Sequence, residues 1–171
     1  MKYLILLILT IFSNLSYSQN LVEIEKQLLI LVNEERASRS LTTFITDSLI
    51  NNAAKIHAKY LSTIMSFQQV SHTNPNPKYR TPSNRIKIAS NSKYTNSSEN
   101  VTAFTYHSTK TDLEIAIQVH NNFMNSKYHK MNVLTEYGDY LNEGYILPSH
   151  YGHHVVYNKY LNAIIVVQMF P

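Results

Sequence analysis

The sequence predicts an α+β domain in which helices come first and cover a sheet built from strands near the C-terminal end. Apolar residues recur on a helical period through residues 21–65 and again from Thr111 onward. Short runs rich in β-branched and aromatic residues, the mark of strands, follow Leu134. A chain of 171 residues is long enough for one domain with a real core and too short for two.

The first segment stands apart from that domain. Met1-Lys2 is a short basic start, Tyr3 to Phe12 is apolar apart from Thr10, and Ser16-Tyr17-Ser18 is a small-x-small site. This reads as a secretory signal over residues 1–18, cleaved after Ser18, with the domain spanning 21–171. A membrane-spanning helix needs roughly 20 apolar residues, about twice this run. No Cys follows it, so a lipid anchor is excluded. The expectation is a secreted protein, extracellular or periplasmic, with no transmembrane segment after cleavage.

The elements follow in order. Leu21, Ile24, Leu28, Leu29, Leu31 and Val32 share a helical period, predicting a first helix over 21–37 that ends in Ser38-Arg39-Ser40. Asp47 is a good N-cap for a second helix running to about Met65, with Ala53, Ala54 and Ala58 permitting close packing. Pro75, Pro77 and Pro82 then break regular structure, leaving a short helical turn around Arg85 to Ala89, started by Ser83, and a polar surface loop over Ser90–Ser98. Thr111-Asp112-Leu113-Glu114 is a capping box opening a third helix to about Ser126, with Leu113, Ala116, Ile117, His120, Phe123 and Met124 as its apolar face. Strands are expected at Gly144–Leu147, His154–Tyr157 and Ala163–Phe170, the last two joined by a turn at Tyr157–Tyr160. Ala163 to Val167 is apolar on both faces, which assigns it to the middle of the sheet.

Composition narrows the chemistry. With no cysteine, thiol catalysis, zinc–thiolate sites and disulfides are all excluded, and the core alone must hold the fold. The formal charge is +4, but the basic residues are scattered singly, so no nucleic-acid partner is expected.

Eight histidines remain to be sorted. His57 and His120 lie in helix stripes and read as structural imidazoles; His107 lies in a polar loop and reads as exposed. His150, His153 and His154 fall in a turn and strand, where alternation sends the last two to opposite faces and argues against one shared metal. His72, Glu99 and His129 each adjoin a structural punctuation: the end of a helix, the end of the polar loop, the end of the next helix. Two imidazoles and a carboxylate can hold a divalent metal such as zinc with an open position, or supply a base and its orienter. Gaps of 27 and 30 residues do not by themselves bring them together.

Several segments, read in order, resemble the CAP superfamily of cysteine-rich secretory proteins, venom allergens, plant pathogenesis-related proteins and bacterial secreted proteins. Leu31-Val32-Asn33-Glu34-Glu35-Arg36 resembles the first-helix "LVNxxR", and Ala53-Ala54-Lys55-Ile56-His57-Ala58 the second-helix "AxxHA". Ser71-His72 is similar to "FSH", Ser98-Glu99-Asn100-Val101 to "GENI", Phe123 to Leu134 to "WMNSPGHRxNIL", and Val167-Gln168-Met169-Phe170 to "TQxFG". Arg85 matches a common Arg before the loop. The resemblance implies a three-layer α-β-α sandwich with a small, mostly antiparallel central sheet and a cleft where His72, Glu99 and His129 meet, the two His positions being able to bind zinc or another divalent ion. It also implies that Asn100 and Asn132 hold loops in position and that Gln168 lies near the cleft. Where many animal members carry a second cavity Glu, this chain has Asn125-Ser126, and Ser98 and Tyr128 replace glycines of the pattern.

Two functions follow from that resemblance. The first is a monomeric secreted binding module for a lipid or sterol, a cell-envelope component or a host protein. The second is a metal-assisted hydrolase, peptidase-like, with metal on His72 and His129 and Glu99 as general base. The binding module is preferred, because no nucleophile motif supports catalysis.

Overall fold

The computed structural model describes residues 20–135 and 149–171. The signal segment and the strand expected at Gly144–Leu147 lie outside the described residues.

Helix α1 (Leu21–Ser38) begins at Asn20, whose side chain accepts the Glu23 amide, and it buries Ile24, Leu28, Val32 and Arg36. These sit one helical turn apart and form a single row facing the core. Helix α2 (Ser48–Leu61) is capped by Asp47 as the sequence predicts, and Ala53, Ala54 and Ala58 are fully buried. It stops short of Met65 for a specific reason. The Asn158 side chain takes the Leu61 and Ile64 carbonyls at 2.9 Å each, satisfying acceptors that a longer helix would have used. Met65 is left outside, 73% exposed.

Helix α3 (Pro82–Ala89) starts one residue before Ser83, with Thr81 rather than Ser83 as cap and proline at the first position. Helix α4 (Asp112–Met124) carries the predicted Thr111–Glu114 capping box. Its buried row is Ile115, Val119 and Phe123, with Ala116 beside it, whereas Leu113 and Ile117 are 47% and 39% exposed. The expected apolar face is therefore corrected. Two positions along a helix turn a side chain by about 200°, so Leu113 and Ile117 point away from α1 once Ile115 and Val119 face it. Helix α5 (Lys127–Leu134) was not foreseen; it buries only Val133 and Leu134 and has no apolar stripe to reveal it.

The sheet contains β1 (Ile45–Thr46), β2 (Ser98–Thr105), β3 (His150–Asn158) and β4 (Ala163–Phe170) in the order β1-β3-β4-β2. Only the two-residue β1–β3 pairing is parallel, so the sheet is mostly antiparallel. β4 is central and buried throughout, as its apolar character predicts. The β3–β4 turn lies later than expected. Tyr157 and Asn158 still pair with Ile164 and Ala163, and the Asn158 carbonyl side chain accepts the Tyr160 and Leu161 amides to start the turn.

Side chains of β4 alternate between two cores. Ile164, Val166 and Phe170 pack with α1, α4 and α5, while Ile165, Val167 and Met169 pack with α2 and α3. The result is the α-β-α sandwich that the resemblance implies. At Gly152 the first turn of α2 rests directly on β3, and a Cβ there would lie 2.4 Å from the Ile50 carbonyl carbon. Among the described residues, no helix is long and apolar enough to cross a membrane.

Candidate functional site

Strand β2 forms one edge of the sheet, between the two helical layers. Alternation sends Glu99 into the α2/α3 layer and Asn100 into the α1/α4/α5 layer. Adjacent residues thus serve the two sides of the sheet.

Glu99 is buried, and both its oxygens are occupied. One accepts from Arg85 Nη2 at 2.5 Å, and the other lies 2.9 Å from His72 Nδ1. Arg85, itself fully buried on α3, also donates to the carbonyls of Tyr79, Arg80 and His72. One guanidinium therefore closes the proline-rich loop, fixes the His72 backbone and neutralises Glu99. Burial pulls the Arg85 pKa below its ordinary value, and the charge and hydrogen bond of Glu99 pull it back up, so it stays cationic.

These contacts assign the histidine tautomers. A carboxylate only accepts, so neutral His72 carries its proton on Nδ1 and leaves Nε2 with a free lone pair. The His72 side chain is 53% exposed, which leaves that nitrogen open to ligands. His57 lies behind it, fully buried, with Nε2 2.7 Å from the Ser71 carbonyl and 3.9 Å from Glu99. Burial holds the His57 pKa below 6.5 against the pull of Glu99, so it is a neutral donor to Ser71.

His129 enters from the other layer, on α5. Its ring stands edge-on to Phe123 with centroids 5.4 Å apart, and its carbonyl accepts from Asn100 Nδ2 at 3.0 Å. Burial and the nearby His72 both lower its pKa, which keeps the imidazole neutral. Asn132 donates to the Asn100 side-chain carbonyl at 2.7 Å, Asn100 donates to Gln168 at 3.1 Å, and Gln168 donates to the Tyr151 hydroxyl at 3.0 Å. Asn100 and Gln168 are both fully buried. This chain of amides ties α5 to the sheet, and Gln168 reaches the cleft only through Asn100.

The sequence-predicted residues thus divide by role. His72 and Glu99 are in direct contact, and His129 lies within electrostatic range of His72. Asn100 and Asn132 position the His129 backbone. Among the described residues, no group of three or more His, Asp or Glu side chains is arranged to hold a metal ion. Each Glu99 oxygen already has a hydrogen-bond partner, which leaves the imidazoles of His72 and His129 as the donors to test for a divalent ion. Arg85 and His57 are the site residues that sequence reasoning missed. Arg85 was noted only as a family match, and nothing in an isolated Arg on a short helix marks it as buried.

The other histidines stay apart. His153 and His154 do face opposite layers, and both meet Glu25. His153 Nε2 donates to its backbone carbonyl at 2.9 Å, and His154 Nδ1 lies 2.8 Å from its carboxylate. His107 is exposed, and His120 is half-buried.

No family model matches the sequence, and no curated protein matches it. Solved structures do resemble the chain. An outer surface protein of Borrelia burgdorferi matches with a TM-score of 0.64 at 20% identity, over 86% of this chain and 91% of that one. An extracellular protein containing an SCP domain from Bacillus anthracis matches with a TM-score of 0.59 at 19% identity, over 85% and 39% of the two chains. A cysteine-rich secretory protein from Staphylococcus aureus matches with a TM-score of 0.55 at 12% identity, over 89% and 40%. The chain spans less than half the length of the last two.

Proposed function

We propose, from the premise that the chain has the CAP-type fold, that it is an exported binding module whose cleft presents His72 and His129 to a divalent metal or to a polar ligand group. The observation carrying this reading is the chain from buried Arg85 and Glu99 to exposed His72, which fixes the tautomer of His72 and leaves its Nε2 lone pair free. A carboxylate behind a histidine in this way is the usual outer partner of a ligating imidazole, raising its basicity and holding its ring. Export accords with the names of the three structural neighbours, which are outer surface, extracellular or secretory proteins. The ligand class, whether lipid or sterol, envelope component or host protein, follows from the resemblance alone.

The same observation disfavours the hydrolase reading. A general base must accept a proton from water within hydrogen-bond reach. Glu99 has both oxygens engaged by Arg85 and His72 and is shielded from solvent. When bound, a zinc ion would polarise a carbonyl or acidify a water. The chain's own residues contribute two neutral imidazoles, one locked by a carboxylate and one packed on Phe123.

Calorimetric titration with zinc tests the proposal. One equivalent is expected to bind, and His72→Ala with His129→Ala to abolish it while the fold persists by circular dichroism. Binding that survives the double substitution, or no binding by the parent protein, would overturn the metal reading.

A further inference from the structure

The opposite edge of the sheet carries a second feature, independent of the histidine cleft. Beyond Tyr151, β3 pairs with no outer strand among the described residues, because β1 reaches only His150 and Tyr151. The exposed edge is managed in part by side chains. Asn51 accepts the His153 amide at 3.0 Å, and Glu25 accepts the Val155 amide at 2.9 Å. Alternation turns the Val155 carbonyl and both backbone groups of Tyr157 the same way. None of these has a protein partner among the described residues.

A groove of about 460 Å³ runs along this open stretch between the first turn of α1 and the outer face of α2. Leu21, Val22 and Val156 supply apolar wall, and Lys55 and Lys59 stand on the α2 rim. The two lysines are one turn apart on an exposed helix face, and neither meets an acidic group among the described residues. Glu25, the acidic residue of the groove, is already engaged by His154 and the Val155 amide. Both contacts fall on its Oε1, and among the described residues no ion pair joins Glu25 to either lysine.

We propose that this groove docks an extended acidic segment of a partner protein, which adds a short strand beside Val155–Tyr157 and sets carboxylates against Lys55 and Lys59. Three open backbone groups favour a peptide over an acyl chain, since only a peptide supplies matching donors and acceptors. Two ammonium groups with no acidic partner among the described residues select acidic side chains. The capped His153 and Val155 amides limit the pairing to the far end of β3, so the added strand is short and its charge contacts matter.

The test uses the purified protein and an alternating Glu/Val octapeptide, read by fluorescence anisotropy. The peptide is expected to bind more tightly than about 1 mM. Lys55→Glu with Lys59→Glu should weaken it about tenfold. Methylating the peptide's backbone nitrogens on one edge should weaken it about fivefold, as loss of an edge hydrogen bond requires. A Lys/Val counterpart should not bind, and His72→Ala with His129→Ala should change nothing, which separates this site from the cleft. No binding of the acidic peptide, or equal binding of the methylated one, overturns the proposal. So does a lysine-dependent affinity found only for anionic phosphatidylglycerol vesicles, which would assign the groove to a lipid surface.

Discussion

At the scale of single residues, the account rests on groups that act through one another. His72 presents Nε2 because Glu99 holds Nδ1, and Arg85 holds the other oxygen of the buried Glu99. Glu99→Gln keeps the shape but loses the charge, and zinc affinity is expected to fall roughly 10- to 100-fold in calorimetry. An unchanged affinity would show that the carboxylate is not the orienter. His72 and Glu99 were legible in the sequence because each borders a break in periodicity and fits a recurrent pattern. Arg85 was not, since burial of a lone Arg depends on the fold of the loop it closes. Gly152 is a second residue whose role only packing reveals. Gly152→Ala forces a methyl against the backbone of α2, and the denaturant midpoint should drop by the equivalent of about 2 kcal/mol or more.

Secondary-structure elements were legible where capping and periodicity agree, and illegible where tertiary contacts decide. The Asp47 cap of α2 and the Thr111–Glu114 box of α4 are local hydrogen-bond patterns, and both occur as the sequence predicts. Thr111→Ala should therefore cost about 1 kcal/mol in equilibrium unfolding, with little effect on zinc binding. No loss would mean that α4 is held by its packing alone. α5 and β2 escaped notice because their polar residues face partners elsewhere in the chain. Asn132 bonds Asn100, Glu99 bonds Arg85, and Arg36 of α1 donates to the Val133 carbonyl across 97 residues. The cleft is built from these two elements, so the same long-range bonds that form the site hide its scaffold from a periodicity reading.

The whole molecule is a sheet between two helical layers, with the histidine cleft at the β2 edge and the lysine-rimmed groove at the β3 edge. That layering was legible from the order of helices and strands and from the apolar run of β4. The placement of His72 and His129 was not, because they stand in opposite layers. Burial also gives the molecule a shared pH response. His57, His120, His129 and His153 all have pKa values pulled below 6.5 chiefly by desolvation. Below about pH 6.5 the unfolded chain binds more protons at these positions than the folded one, so stability falls as pH drops through that value. The melting temperature should be lower at pH 5.5 than at pH 7.5, and equal values would contradict neutral buried imidazoles. The central claim, however, is the orientation of His72 in the cleft. Long-range proton–nitrogen NMR of the histidine rings tests it most directly. The account predicts that His72 is protonated on Nδ1 before zinc is added, and that zinc then shifts the free Nε2 of His72 together with a ring nitrogen of His129. A His72 protonated on Nε2, or a zinc response confined to other histidines, would contradict it.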